Sequence, residues 1–198
     1  MFPSKFKNTI MRIFHLILLL FLTACANTRF EPTVEIAHVN PKSGYRLENI
    51  FQNKKNDPLL VVISFSGGGS RAAAFGYAVL KALNKEHDGQ NQSLLNHVSL
   101  TFGVSGGSVI AMHYALHGKE TLKSFPNDFL HRDFEGTLIN RLLSFTYRWH
   151  FSSPQYGRGD LLAHEFDQFI FHGATFQDLI SHRKGPFAVI HATDLAIG

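Results

Sequence analysis

Leu59-Leu60-Val61-Val62-Ile63-Ser64-Phe65 runs straight into Ser66-Gly67-Gly68-Gly69-Ser70-Arg71, and the order of these two pieces decides the fold. The first is a nearly continuous apolar run rich in β-branched residues. That is the pattern of a strand buried on both faces of a parallel sheet. After the glycines, Ala72-Ala73-Ala74-Phe75 through Leu83 reads as a helix, with Phe75, Val79, Ala82 and Leu83 along one side. The glycines therefore stand between a strand end and a helix N-terminus. There, unpaired N–H groups and the positive end of the helix dipole point outward.

The same punctuation recurs downstream. His97-Val98-Ser99-Leu100-Thr101-Phe102 reads as a second strand ending in Gly103-Val104-Ser105-Gly106-Gly107, and Ser108-Val109-Ile110-Ala111-Met112 continues as a helix. This is G-x-S-x-G in a strand–turn–helix setting. A nucleophile on a sharp, strained turn needs small residues on both sides, and the turn lifts the Ser105 hydroxyl above the sheet. The following helix N-terminus favours developing negative charge there. If the two strands are neighbours, the two turns lie side by side. Ser105 is then the expected nucleophile, and the turn of Gly67, Gly68, Gly69 and Arg71 the expected oxyanion hole. Each such donor is worth about 2.7–4 kcal/mol of transition-state stabilisation.

Other chemistries fit the first turn less well. A P-loop requires Lys-Ser/Thr after the last glycine, and Ser70-Arg71 is not that. Gly67-x-Gly69-x-x-Ala72 does match a dinucleotide fingerprint, which expects an acid about 20 residues on at a strand end. Glu86 and Asp88 are near that spacing but sit in the polar connection from Lys85 to Ser93.

The chain has 198 residues, a net charge of +4 and a single cysteine. One cysteine excludes an intramolecular disulfide framework and multi-Cys zinc sites. Of 19 basic residues, Lys5, Lys7 and Arg12 fall in the first 24, which hold no acid; the remaining 16 face 15 acidic residues, a net of +1. The body of the chain thus lacks the charge of a nucleic-acid binder. The basic start, the short apolar run Ile13 to Leu22 and the small residues after it read as a secretory signal, with Met1 or Met11 as start. Leu22-Thr23-Ala24-Cys25 resembles the bacterial lipobox, which implies lipidation of Cys25 and a membrane anchor. Ala26 after it suggests the outer membrane of the cell envelope. Residues 25–57, punctuated by Pro32, Pro41 and Gly44, read as tether and lead-in, and residues 58–198 as the catalytic domain.

Taken together, Ser66-Gly67-Gly68-Gly69-Ser70-Arg71 and Gly103-Val104-Ser105-Gly106-Gly107 resemble the oxyanion motif and nucleophile elbow of the patatin-like phospholipase family. Gly157-Arg158-Gly159-Asp160-Leu161-Leu162-Ala163 and Pro186 to Leu195 resemble further stretches of bacterial patatin-like lipoproteins. The resemblance implies a three-layer α/β/α fold around a central, mostly parallel sheet. It implies hydrolysis of phospholipid or other acyl esters by a Ser–Asp dyad, without metal or cofactor. The family's aspartate lies in an Asp-Gly-Gly or Asp-Gly-Ala motif after the elbow. The Asp-Gly of this sequence, Asp88-Gly89, precedes Ser105, so no base is carried over and the domain reads as incomplete at its C-terminus. Two alternatives follow: a catalytically inactive, lipid-anchored binding or structural module, and a Ser-His-Asp esterase. For the latter His131, His150, His164, His172, His182 and His191 qualify by order.

His113 and His117, four apart, share a helix face, but Tyr114 stands where a zinc protease needs Glu. Phe125, Phe129, Phe134, Phe145, Tyr147, Trp149, Phe151 and Tyr156 read as core rather than as a lipid-facing cap. Asp160 reads as the N-cap of an amphipathic helix reaching Phe171, and Phe187 to Ile190 as another buried strand.

Overall fold

The computed structural model describes Met11, His38 and residues 40–48, 59–144 and 157–192. The expected signal segment apart from Met11, Cys25, most of the tether, the aromatics from Phe145 to Tyr156 and Asp194 lie outside the described residues. The chain divides into two compact units, one of His38–Phe134 with Ala163–Gly198, the other of Met1–Ala37 with Glu135–Leu162.

Among the described residues, the first unit holds three parallel strands, β1 (Val61–Phe65), β2 (Val98–Val104) and β3 (Phe187–His191), in the order β1-β2-β3. Parallel neighbours need crossovers. Helix α1 (Gly69–Lys85) provides the one between β1 and β2, and α2 (Gly106–His117) leads away from β2. The expected parallel sheet with flanking helices is what forms. Burial alternates along β1: Phe65 faces α1 and α2 and is buried, while Val62 and Ser64 on the other face are exposed. Phe65, Ala73, Leu80, Val109, Ile110, Ala111 and Tyr114 make the core between sheet and helices. Fully burying a large apolar side chain contributes roughly 1.5–3 kcal/mol.

Helix α1 begins three residues before the expected Ala72 and turns a different face inward. Ala73, Gly76 and Leu80 are buried, whereas Phe75 is 73 % exposed. The cause is Gly76: a β-carbon there would stand 2.7 Å from Phe65 Cδ1, so only glycine lets the helix lie this close to β1. His97 belongs to the 3₁₀ turn Leu94–His97 rather than to β2. Helix α3 (Thr121–Phe125) and the π-helical turn Pro126–Leu130 follow α2. There, Phe125 stacks between Tyr77 and Phe129, at 6.0 and 5.4 Å between ring centroids, as core-building aromatics should.

Helices α4 (Phe134–Leu143) and α5 (Arg158–Phe166) carry the chain through the second unit. Asp160 is not the N-cap of α5 but its third residue. Its Oδ2 reaches back to accept the Gly157 N–H at 2.7 Å, which satisfies an end group from inside the helix. A π-helical turn (Asp167–Phe171) and α6 (Phe176–Ser181) lead to β3. Tyr45 docks on that strand: its ring stacks on Phe187 at 3.9 Å and its hydroxyl accepts the Ala188 N–H at 2.8 Å. An N–H on the free side of an outer strand is thereby satisfied.

Candidate active site

Phe65, the last residue of β1, pairs in register with Gly103 near the end of β2. That register brings the two glycine turns together at one end of the sheet. Ser105 follows β2 directly, with φ 52° and ψ −125°. A non-glycine residue in such a conformation carries about 1–3 kcal/mol of backbone strain, held in place by its surroundings.

The surroundings are backbone against backbone. A β-carbon on Gly106 would fall on the Gly69 carbonyl, and one on Gly107 would stand 2.5 Å from the Ser66 carbonyl oxygen. The glycines after the serine are therefore required by the neighbouring turn as well as by their own. Gly67 lies beside Ser105, a β-carbon on it standing 3.5 Å from Ser105 Cβ. Gly68, at φ 141°, caps α1, and Arg71 is the exposed third residue of that helix. Val104, the last residue of β2, is exposed at the rim.

Ser105 occupies the N-cap position of α2, yet its side chain makes no capping bond and the residue is exposed. Its hydroxyl is left for other work. Helices α1 and α2 both start at this end of the sheet, and neither has an acid in its first turn. Their first-turn N–H groups and dipoles make the place electropositive without a competing carboxylate. The structure thus brings together Gly67, Gly68, Gly69, Ser105, Gly106 and Gly107, as the two motifs require.

It keeps the acids of the Lys85–Ser93 connection away. Asp88 Oδ2 lies 3.0 Å from His97 Nε2, and Oδ1 accepts the N–H groups of Gln90 and Gln92 at 2.9 and 2.7 Å. The Gln92 N–H in particular holds its carboxyl below the usual aspartate range. Asp88 sits ahead of β2, whereas Ser105 follows it. Seven residues of strand separate the ends by ~20 Å. Asp88 can serve neither as base to Ser105 nor as a ribose ligand at the glycine turn.

Helix α2 also carries a buried histidine. His113 is fully buried, with Nδ1 3.0 Å from Thr121 Oγ1 and Nε2 3.2 Å from Asp128 Oδ2. Burial pushes its pKa down to about 4, the neighbouring His117 adding to the shift and Asp128 opposing it. The His113 and His117 rings are 4.4 Å apart, so the shared face is real. Both His113 nitrogens are nevertheless committed to holding α2 against α3 and the π-helical turn after it. Among the described residues no group of His, Cys, Asp or Glu is placed to hold a metal ion. Of the histidines after the elbow, His191 pairs in register with Val104, and its ring stacks on Phe102 at 5.7 Å. His150 lies outside the described residues.

Fold and turn together define the class: a parallel α/β protein bearing a G-x-S-x-G elbow packed on a second glycine turn. Within that class, the model of the patatin-like phospholipase family matches residues 63–189, and the chain belongs to that family. No match was found among curated proteins or among solved structures. The matched region runs from β1 to β3 and contains both turns, and a patatin domain is that of a lipid acyl hydrolase.

Proposed function

We propose that Ser105 is the nucleophile of this lipid acyl hydrolase and that the Gly67–Gly69 turn holds the oxyanion. One observation carries the assignment: Ser105 is held at φ 52° with a hydroxyl that caps nothing, against the glycine turn. In the reaction, Ser105 Oγ adds to the ester carbonyl carbon. The carbonyl oxygen takes the negative charge and is met by backbone N–H groups. Collapse breaks the bond to the alcohol, which leaves with the proton released by Ser105. Water then hydrolyses the acyl-serine. Arg71, exposed beside the turn, orients an anionic headgroup. Cys25 carries the lipid that anchors the chain in the bacterial envelope, at the outer membrane, and the reaction uses no cofactor.

A fluorophosphonate probe and a phospholipid substrate test this reading. Ser105→Ala is expected to lose both labelling and hydrolysis while unfolding at an unchanged temperature. Undiminished hydrolysis in that variant would refute it. A folded wild-type chain that neither labels nor hydrolyses would favour the lipid-anchored binding module.

A second reading, with imidazole as base, is favoured by the register of His191 beside the elbow. It requires that His191→Gln abolish hydrolysis. Full activity in that variant removes it.

A further inference from the structure

A cavity of about 190 Å³ opens at the end of β2 remote from Ser105. Val98 and Ser99 at the start of β2, Tyr114 of α2, and Lys119, Arg183 and Lys184 are among its lining residues. Among the described residues, three basic ones from two distant stretches of chain line it, and no acidic one does.

Neither ordinary reason for clustered cations applies. Ion pairing is one: Lys123 is paired with Glu120 at 3.2 Å, but among the described residues neither Lys119 nor Lys184 has a carboxylate within such a distance. Capping the C-terminus of α2 is the other. There the Gly118 N–H already bonds the Tyr114 carbonyl, and the Gly185 N–H bonds the Ala115 carbonyl at 2.9 Å. Arg183 is held over the Phe187 ring, its guanidinium carbon 5.6 Å from the ring centroid. The Tyr114 and Ser99 hydroxyls donate away, to the carbonyls of Leu95 and His97 at 2.9 and 3.1 Å. The charged groups carried by the residues that line the cavity are therefore one guanidinium and two ammonium groups. Like charges around one cleft repel, and an anion between them turns that repulsion into charge-assisted hydrogen bonds.

We propose that this cavity is a binding site for a phosphate-type oxyanion, with Arg183 as its oriented ligand and Lys119 and Lys184 as its point charges. The volume is several times the ~30 Å³ share of one water, which leaves room for a small organic substituent on the phosphate. The site lies ~20 Å along β2 from Ser105, so it is separate from the ester-binding turn and does not rest on the nucleophile assignment. Occupancy would tie the end of α2 to the chain entering β3.

Calorimetric titration of the full chain in a neutral detergent, with inorganic phosphate against chloride at constant ionic strength, tests the site. Saturable phosphate binding is expected, with Lys119→Ala/Lys184→Ala weaker by about tenfold or more. Both lysines are exposed, so that variant stays folded. Arg183→Gln should also bind more weakly and Arg183→Lys retain part of the affinity, while Ser105→Ala should bind like the wild type. Competition by phosphatidic-acid vesicles would mark a lipid headgroup as the source, and competition by glycerol 3-phosphate alone a soluble ester. Equal responses to phosphate and chloride, or unchanged affinity in the double-lysine variant, would overturn the proposal.

Discussion

Gly106 and Gly69 meet backbone to backbone: a β-carbon on Gly106 would occupy the place of the Gly69 carbonyl. The elbow and the first glycine turn are thus one packed object, although 36 residues of helix, connection and strand lie between Gly69 and Gly106 in sequence. Gly106→Ala forces the turns apart. Overpacking of this kind costs about 1–3 kcal/mol. The expected outcome is a lower Tm together with lost hydrolysis, read by calorimetry and an ester assay.

Gly67→Ala separates function from folding. Its β-carbon would make an ordinary contact, 3.5 Å from Ser105 Cβ, and Gly67 has no positive φ. Stability is expected to stay within about 0.5 kcal/mol of the wild type. Ester hydrolysis should fall because the methyl group narrows the approach to Ser105. Normal kcat and KM would show that substrate does not pass between these two residues.

Ser105 itself stores strain. Glycine adopts φ 52° freely and alanine does not. Ser105→Gly should therefore unfold at higher denaturant than Ser105→Ala, by about 1 kcal/mol, with both inactive. Equal stabilities would mean that the elbow relaxes once the serine is gone.

Ser108, the third residue of α2, buries its hydroxyl without a hydrogen-bond partner. An unsatisfied buried hydroxyl costs about 1–3 kcal/mol. Ser108→Ala is expected to be neutral or to stabilise by about 1 kcal/mol in chemical denaturation. A loss of stability would reveal a partner for that hydroxyl.

His113 makes stability depend on pH. Its folded pKa is about 4 because burial disfavours the charged ring, while the unfolded chain takes up the proton at the ordinary histidine value of 6.5. Between these values the unfolded state binds more protons. Stability is therefore full above about 6.5 and is lost as pH falls towards 4, by on the order of 3 kcal/mol. His117, whose pKa is also lowered by burial, acts in the same direction. His113→Gln should be less stable at pH 7 but should lose distinctly less on acidification. Parallel pH profiles for the two proteins would contradict the burial of that ring in its neutral form.

Much of this was legible in the amino-acid sequence because the signals are local. An apolar β-branched run, a glycine turn and an apolar helix, met twice, determine two strand–turn–helix units and put Ser105 on the second turn. The elbow glycines are equally readable, since a sharp turn around a serine admits little else. What tertiary structure decided is what depends on neighbours distant in sequence. The side of α1 that faces the sheet could not be read from an Ala-rich helix of low contrast. It is set by Gly76 fitting under Phe65, which leaves Phe75 in solvent. The same holds for the pairing of Asp88 with His97: the sequence places Asp88 in a polar connection, and the structure supplies its partner. Tyr45 docks on β3 from a stretch that reads as tether. Lys119 meets Arg183 and Lys184 only because α2 ends where the chain enters β3. Local pattern specifies which elements form and where the chain turns; register and close approach, which need both partners in place, determine which residues meet.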